Sequence, residues 1–335
     1  MRIGVAGAGM VSGYHLAAWA RVADATVVAI ADPDIGRAGS RAEAYGIGRW
    51  FARPEQLIDE LRPDALDIAA PVEAHGPLCR LAAENGVAIL CQKPLARTSA
   101  EAEEIIASVA GRVPFMVHEN WRFRPHYRQI KQWLEAGLIG AVTQVEMRVH
   151  TSGLIPDAAG CFPALVRQPF LAGLPRFLVF EVLSHHLDVL CWLVGDLRLQ
   201  AARLSRVSPA VTGEDTALLE LQTRTGAPVV IDGSFAVPGR PVEIRDNLHI
   251  TGTRGDIRLS DTALSLQADH REEHEVDFDA MYASSFENAL RHFVETLGSA
   301  GAFETDARQN IAVLRLVDEA YQSDGGLTVG PRSGS

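Results

Sequence analysis

The feature that most constrains this chain is its first 32 residues, where short apolar runs flank a glycine-rich turn. Ile3 to Ala6 is an apolar run suited to a buried parallel strand. The turn G-A-G-M-V-S-G follows at 7–13, then a stretch of helical pattern at 14–20 and a second apolar run that ends at Asp32. Strand, glycine turn, helix, strand and acid in this order describe one nucleotide-binding βαβ unit.

The residue types of the turn suit a phosphate. Gly7 lets the chain reverse after the strand, and Gly9, which has no Cβ, lets backbone approach a pyrophosphate closely. The helix that follows presents backbone N–H groups and the positive end of its dipole. Ser12 stands where the G-x-G-x-x-G/A pattern has its third glycine, with Gly13 directly after it. On its own, such a turn is also compatible with a glycine-rich β-turn of any α/β protein. In this context it predicts cofactor contacts at four positions: Gly7, Gly9, Met10 and Val11.

Asp32 lies about 20 residues beyond the turn, where a carboxylate can accept both hydroxyls of an adenosine ribose. A carboxylate there repels a 2′-phosphate, so NAD is favoured over NADP. Arg37 is close enough in sequence to keep NADP open.

Composition excludes several other classes of protein. The 335 residues carry a net charge of −11, which argues against nucleic-acid or anionic-membrane partners. No apolar run reaches the roughly 18 residues of a membrane span, and the N-terminal sequence does not read as a signal peptide. The four cysteines are scattered without a C-x-x-C motif, so we expect reduced thiols in a cytoplasmic protein.

Apolar strands alternate with helical segments as far as residue 117, which predicts a doubly wound parallel sheet. Ligands of such sheets bind at the carboxyl ends of the strands. Five residues fall at or just after predicted strand ends: Asp32, Pro71, His75, Lys93 and Asn120.

Lys93 closely follows the apolar run VAILC and precedes Pro94, which fixes the local backbone. A lysine held there beside a nicotinamide can hydrogen-bond a substrate hydroxyl and stabilise developing oxyanion charge. A lysine whose ammonium simply extends from a strand end into solvent explains the pattern equally well.

The second half of the chain has a different pattern. A helix at 127–136 and an alternating strand at 142–149 precede residues 151–175, whose Gly and Pro content predicts a long loop. Six alternating segments between 199 and 267 predict a largely antiparallel sheet, and two amphipathic helices are expected at 284–297 and 306–322. A sheet with one helix-covered face has another to bury, so we expect a homodimer or homotetramer. The expected domains are 1–121 for dinucleotide binding and 122–335 for substrate binding and oligomerisation, with the last helix able to pack back on the first domain.

A carboxylate and a histidine lie one predicted helical turn apart at Glu181 and His185. If the segment is α-helical, Asp188 and Trp192 share their face, and His186 is rotated by about 100°. The carboxylate would orient the ring and raise its basicity, which suits a general base acting on an alcohol. A purely structural carboxylate–histidine pair is an alternative. A metal site is disfavoured because no further Cys/His cluster has ligand-like spacing, so no metal is predicted.

Several motifs in order resemble the Gfo/Idh/MocA family of NAD(P)-dependent oxidoreductases over nearly the whole chain. They are GAGMVSGYH at 7–15, ADPD at 31–34, APVEAH at 70–75, QKPLA at 92–96, HENWRFRP at 118–125 and EVLSHHLDVLCWLVG at 181–195. The resemblance implies a Rossmann domain followed by an α/β domain with an open, mainly antiparallel sheet. It also implies oxidation of a secondary alcohol, or reduction of a ketone, on sugars, polyols and related compounds.

The resemblance assigns Lys93 to the lysine of the family's E-K-P segment and His185 to the catalytic histidine of its D-x-x-x-H pattern. Gln92 replaces the usual glutamate, and Glu181 the usual aspartate. A neutral Gln92 cannot stabilise a lysinium as glutamate does, whereas Glu181 is long enough to reach His185. A subset of the family related to D-apiose dehydrogenase is similar in its Q-K-P segment, its R-Q-P-[FY] loop (167–170 here) and its glutamate at position 181.

The leading hypothesis is a cytoplasmic NAD-dependent dehydrogenase that oxidises a secondary or anomeric alcohol of a sugar, sugar acid or polyol. His185 would take the hydroxyl proton, Lys93 would bind the same oxygen, and Glu181 would orient His185. Two alternatives remain, an NAD-retaining enzyme that cleaves a glycosidic bond and a non-catalytic NAD sensor. Beyond Lys93 and His185, the expected pocket residues are Asn120, Trp121, Arg122, Arg167 and Arg176. Cofactor contacts are also expected from four residues at the strand ends: Pro71, His75, Gln92 and Asn120.

Overall fold

The structure, a computed structural model, describes residues 1–299, 301–323 and 328–329. The chain forms two compact units. Unit 1 comprises Met1–Arg124 with Asp279–Ala312, and unit 2 comprises Pro125–Phe278 with the described residues from Val313 onward.

Unit 1 contains a six-stranded sheet in the order β3-β2-β1-β4-β5-β6, with every pair of neighbours parallel. This order is that of a Rossmann fold and confirms the predicted doubly wound sheet. The strands are β1 (Arg2–Ala6), β2 (Thr26–Ala31), β3 (Trp50–Phe51), β4 (Ala65–Ile68), β5 (Ala88–Gln92) and β6 (Phe115–His118).

The helices of unit 1 begin where local chemistry favours a start. The Asp34 carboxylate accepts a hydrogen bond from the Arg37 N–H, and Pro54 occupies the first helical turn of its helix. Thr98 caps the fifth helix, because the Thr98 hydroxyl accepts from the Glu101 N–H. The helices are α1 (Met10–Trp19), α2 (Ile35–Ala44), α3 (Pro54–Leu61), α4 (Val72–Glu84), α5 (Ser99–Val109) and α9 (Phe278–Ser299).

The core of unit 1 joins α9 to the sheet, although the two are far apart in sequence. Phe286, Leu290 and Phe293 of α9 are buried in one cluster with Ile3 of β1 and Leu16 of α1. Burial of side chains of this size contributes about 1.5–3 kcal/mol each. The first 124 residues therefore obtain part of their core from near the C-terminal end of the chain.

Unit 2 is built on a sheet in the order β14-β13-β12-β11-β7-β10-β9-β8-β15, antiparallel except at β7/β10 and β8/β15. The mainly antiparallel sheet confirms the prediction. Its strands are β7 (Val142–His150), β8 (Leu197–Arg206), β9 (Thr216–Thr223), β10 (Pro228–Ser234), β11 (Asp246–Gly252), β12 (Asp256–Leu259), β13 (Ala263–Gln267), β14 (Arg271–Glu275) and β15 (Thr328–Val329).

Two segments of unit 2 differ from the sequence prediction. The expected loop at 151–175 contains a short helix, α7 (Pro163–Arg167), and a 3-10 segment (Pro169–Gly173). The expected single helix around residue 181 is instead a π-helical segment (Leu178–Leu183) that continues into α8 (Ser184–Val194). The remaining helices are α6 (Pro125–Glu135) and α10 (Ala307–Ser323).

Across residues 1–299, 301–323 and 328–329, we find no helix with the length and apolar character that a bilayer crossing requires.

Candidate active site

The glycine turn between β1 and α1 has the geometry of a phosphate cradle. Gly7 adopts φ +111°, and a Cβ placed there would lie 2.4 Å from the carbonyl oxygen of Ala69. Gly9 is the N-cap of α1 and makes no side-chain cap, and a Cβ placed on it would meet no protein atom within 4 Å. Met10 is exposed and Val11 is half-buried at the start of the helix. The space above Gly9 and the amides at the helix start fit a dinucleotide pyrophosphate.

Gly9→Ala is expected to weaken NAD binding while leaving the fold intact. The backbone at Gly9 (φ −72°, ψ −165°) is open to alanine, so the methyl group would occupy only the space that a pyrophosphate needs. We expect the Kd for NAD, measured by calorimetry, to rise by about tenfold or more, in line with the ~1–3 kcal/mol cost of overpacking.

The matched variant is Gly7→Ala. Its methyl group would clash with the backbone at Ala69, and position 7 has a positive φ that alanine rarely adopts. That variant is expected to lower the melting temperature. An unchanged Kd for Gly9→Ala would contradict the cradle.

Ser12 replaces the third glycine of the motif without disturbing the turn. Its hydroxyl donates to the carbonyl oxygen of Gly9 at 2.7 Å, and Arg41 donates to the same oxygen at 3.0 Å. The departure from the glycine pattern therefore supplies a hydrogen bond that steadies the turn.

Asp32 directly follows β2 and directs its carboxylate at the glycine turn. One oxygen accepts from the Ala8 N–H at 2.8 Å and the other from the Asp34 N–H at 2.9 Å. Each carboxylate oxygen can accept a second hydrogen bond, so the held carboxylate fits ribose hydroxyls. The guanidinium of Arg37 lies 3.5 Å from the Asp34 carboxylate, so this arginine, which kept NADP open in the sequence, is engaged by an acid.

The turn after β5 carries Lys93, at the same sheet edge as Asp32 and the glycine turn. Lys93 is half-buried, and the Lys93–Pro94 peptide bond is cis. The Lys93 N–H donates to the side-chain oxygen of Gln92 at 2.6 Å. On the other side of the turn, the His75 ring contacts the carbonyl oxygens of Pro94 and Leu95 at 3.1 and 3.2 Å. Gln92 and His75, both predicted to face the cofactor, thus hold the backbone around Lys93.

His75 is surrounded by acceptors, since its second nitrogen lies 3.0 Å from the Ala70 carbonyl oxygen. Burial lowers the pKa of His75 below its ordinary value of 6.5, against the opposing effect of these carbonyl groups. The ring is therefore neutral at pH 7.

Acid is expected to destabilise the wild type more than His75→Asn. Below pH 6.5 the unfolded His75 binds a proton that the folded ring resists, so the free energy of unfolding falls as the pH falls. The slope is at most about 1.4 kcal/mol per pH unit. Asparagine can keep the donor to the Pro94 turn but does not titrate, so its melting temperature should drop less between pH 7.5 and 5.5. Equal drops in the two proteins would contradict this assignment.

The other predicted residues of unit 1 lie after β6 and beside β4. The Asn120 amide donates to the hydroxyl of Ser285 at 2.7 Å, and Trp121 is buried under the Arg124 guanidinium, 3.5 Å from its ring centroid. Arg122 is buried and donates to the Glu304 carbonyl oxygen at 2.6 Å and to Gln309 at 2.8 Å. Pro71 is exposed as the N-cap of α4.

In unit 2 the π-helical segment and α8 carry Glu181 and His185. Glu181 is half-buried, whereas His185 and Asp188 are buried. Because a π-helical turn has more residues than an α-helical one, the 3.6-residue spacing used in the sequence prediction does not hold between Glu181 and His185.

The π-helical segment is held at its start by Glu214, which the sequence analysis missed. Its carboxylate accepts from the N–H groups of Phe177 and Val179 at 3.2 and 2.9 Å and from the hydroxyl of Tyr321. Burial raises the pKa of Glu214, and the hydrogen bonds to its carboxylate partly oppose this rise. Burial also raises the pKa of Tyr321, and the neighbouring Glu214 carboxylate adds to that effect.

Arg176, predicted to bind substrate, pairs with Asp318 at 2.8 Å and stacks on the ring of Tyr321. Arg167, the other loop arginine, is exposed at the end of α7.

A second buried network, also missed from sequence, joins α8 to the sheet of unit 2. One nitrogen of His186 lies 2.8 Å from the Asp246 carboxylate and the other 3.1 Å from the carbonyl oxygen of Val182. The Tyr127 hydroxyl donates to the other Asp246 oxygen at 2.7 Å. His186, Asp246 and Tyr127 are fully buried. The segment that carries His185 is therefore held by a buried hydrogen-bonded cluster.

No group of three or more His, Cys, Asp or Glu side chains within the described part of the chain is arranged to hold a metal ion.

Two family models match the chain. Residues 1–118 match an oxidoreductase family with an NAD-binding Rossmann fold, and residues 127–258 match the Gfo/Idh/MocA C-terminal domain.

Known proteins are similar over most of this length. D-apiose dehydrogenase from Paraburkholderia graminis is 32% identical, over 95% of this chain and 86% of that protein. Inositol 2-dehydrogenase 2 from Saccharopolyspora erythraea is 30% identical, over 90% of this chain and 86% of that protein. An oxidoreductase from Agrobacterium radiobacter, solved with NAD+, L-tartaric acid and magnesium, superposes with a TM-score of 0.89 at 27% identity, over 97% of this chain and 96% of that one. The chain is thus a member of the Gfo/Idh/MocA family of oxidoreductases, with an NAD-binding Rossmann domain at its N-terminus.

Proposed function

We propose that this protein is an NAD-dependent dehydrogenase that oxidises a secondary or anomeric alcohol of a sugar, sugar acid or polyol. The observation that carries the proposal is Lys93, held at the same sheet edge as the glycine turn and Asp32 by hydrogen bonds on both sides. The relatives named for D-apiose and inositol support a polyhydroxylated substrate.

Lys93 and His185 form the proposed acid–base pair. His185 accepts the proton of the substrate hydroxyl, and Lys93 donates a hydrogen bond to the same oxygen as it becomes a carbonyl. Glu181 orients His185, and Asn120, Trp121, Arg122, Arg167 and Arg176 line the substrate pocket in this proposal. NAD, when bound, supplies the hydride acceptor.

The test is a panel of sugars, sugar acids and polyols that includes D-apiose, myo-inositol and L-tartrate. Each compound is assayed for a thermal shift with NAD present and for NADH absorbance at 340 nm. The proposal expects stoichiometric NADH formation with at least one compound. Sugar release without net NADH would indicate the glycoside-cleaving alternative. NAD binding without turnover of any compound would indicate a sensor.

We also propose that the protein forms a homodimer or homotetramer through the sheet of unit 2. A groove of about 550 Å³ lies against this sheet, lined among others by Glu146, Arg148, Asp232 and Arg258. Both charge signs occur there, so the surface can be complementary to a second copy of itself. Light scattering coupled to gel filtration should give at least twice the mass of 36.2 kDa, and a monomer at micromolar concentration would refute this proposal.

A further inference from the structure

A chain of buried hydrogen bonds ends at the turn that carries Lys93. The Asp67 carboxylate of β4 lies 2.9 Å from Nδ1 of His15 and accepts from the Trp19 indole at 2.7 Å. The other nitrogen of His15, Nε2, lies 2.9 Å from the side-chain nitrogen of Gln92. Gln92 in turn accepts from the Lys93 N–H at 2.6 Å. The side chains of Asp67, His15, Trp19 and Gln92 are all buried.

The direction of each hydrogen bond in this series follows from the Lys93 N–H, which can only donate. A backbone N–H is always a donor, so the Gln92 atom that faces Lys93 must be its oxygen. The Gln92 amide group then donates to His15, whose Nε2 must be unprotonated to accept. The proton of His15 therefore resides on Nδ1 and is donated to Asp67. Only a neutral His15 in this tautomer satisfies all three bonds.

This logic gives a physical role to Gln92, the departure from the family's E-K-P segment. A glutamate has two acceptor oxygens and no donor, so it could bond to His15 without breaking the bond to Asp67 only if the ring took a second proton. Glutamine completes the chain without adding charge to a buried site, where unpaired charge is costly.

Two aromatic rings pack against this histidine. The His118 ring of β6 packs on His15 with centroids 4.3 Å apart, and Phe286 of α9 lies 5.7 Å away. The Cys91 thiol of β5 interacts with Asp67, and burial raises the pKa of that thiol. Asp67 and His118 are thus titratable groups against the ring, and the neutral thiol adds no charge.

We propose that Asp67, His15 and Gln92 are positioning residues that set the backbone of the Lys93 turn, with Gln92 as the polarity-matched link. The proposal rests on the proposed catalytic role of Lys93. None of the three need touch the substrate, since their effect reaches Lys93 through its own N–H.

The first test reads the chain without any turnover. Long-range ¹⁵N–¹H spectra of histidine-labelled protein report the tautomer of each ring, and the His15 signal is assigned by its loss in His15→Gln. We expect Nδ1-protonated His15 in the wild type and a doubly protonated ring in Gln92→Glu at pH 7. A wild-type ring protonated on Nε2, or on both nitrogens, overturns the proposal.

The second test measures the turn itself. Lys93 and Lys131 are the only lysines in the sequence, so acetylation of Lys93 can be referred to Lys131 within each molecule by mass spectrometry. Gln92→Leu removes both bonds at nearly constant volume and is expected to change this ratio at least threefold. The matched control is Trp19→Phe, which removes the other donor to Asp67 but leaves the chain to Lys93 intact, and it should leave the ratio unchanged. Equal ratios in wild type and Gln92→Leu overturn the proposal.

Kinetics separate this proposal from the proposed function. With the fastest compound of the panel, Gln92→Leu should lower kcat by about 10- to 100-fold, as expected for a catalytic group misplaced by about 1 Å. The Kd for NAD should stay within threefold, and Gln92→Glu should recover part of the loss because it keeps the acceptor for Lys93. A normal kcat in Gln92→Leu together with an inactive Lys93→Met refutes the positioning role alone. Full activity in Lys93→Met refutes the catalytic role of Lys93. In that case the tautomer of His15 still tests whether the hydrogen bonds from Asp67 to Lys93 exist.

Discussion

Lys93→Met and His185→Ala are each expected to lower kcat by about 10²- to 10⁴-fold, the usual contribution of a general acid or base. Methionine approximates the lysine stem without the ammonium, so it removes the hydrogen bond to the substrate oxygen. Alanine at position 185 removes the proton acceptor, and neither change should prevent NAD binding. The measurement is initial-rate NADH formation with the fastest compound of the panel, alongside the Kd for NAD.

The chain offers a matched control for the lysine variant. Lys131, the other lysine, donates to the carbonyl oxygen of Trp192 at 2.8 Å and faces Glu135 at 3.6 Å. Lys131→Met removes the same charge from unit 2 and should retain kcat within about threefold. If Lys93→Met is as active as Lys131→Met, Lys93 is not a catalytic residue. If His185→Ala retains the kcat of the wild type, His185 is not the catalytic base.

Local chemistry explains why much of unit 1 was predictable from sequence. Gly7 must be glycine because of its backbone angle and the nearby Ala69 carbonyl, Asp34 caps the helix it precedes, and Pro54 begins the next. The helix starts depend on residues one to three positions away, and the glycine turn follows a known motif, so the sequence alone indicates them. The parallel order then follows from the alternation of strands and helices.

The π-helical segment could not be predicted, because its cause is distant in sequence. Its first N–H groups bond to Glu214, which in turn is held by Tyr321. A helical periodicity contains no information about a carboxylate more than 30 residues away. The α-helical repeat assumed between Glu181 and His185 is therefore replaced by a π-helical one as far as Leu183, and the role of the pair stays a prediction.

The buried network around Asp67 is indicated by one feature of the sequence. Asp67 is an acid within the apolar strand ALDIAA, and a buried acid requires donors. The strand itself was predicted, but His15 and Trp19, its partners, lie about 50 residues earlier. An ionisable residue inside an apolar strand thus predicts a buried hydrogen-bond network. Which residues form that network can be identified only from the three-dimensional structure.

Asp246→Ala is expected to destabilise the protein by about 2–6 kcal/mol, because it leaves two buried hydrogen-bonding groups unsatisfied at about 1–3 kcal/mol each. Asp246 is the side-chain partner of His186, at 2.8 Å, and it accepts from the Tyr127 hydroxyl at 2.7 Å. Alanine would leave the His186 ring and the Tyr127 hydroxyl without their shared acceptor, so α8, which carries His185, should lose both stability and alignment.

Unit 1 provides an exposed ion pair for comparison. The Arg49 guanidinium contacts the Glu60 carboxylate, and about half of each side chain is exposed. Glu60→Ala should cost less than about 1 kcal/mol, as surface ion pairs do. Denaturant unfolding with matched thermal melts compares the two variants, and kcat should fall only in Asp246→Ala. Similar losses of stability in both would show that burial does not set the strength of the His186–Asp246 pair, and the cluster could then not be what fixes α8.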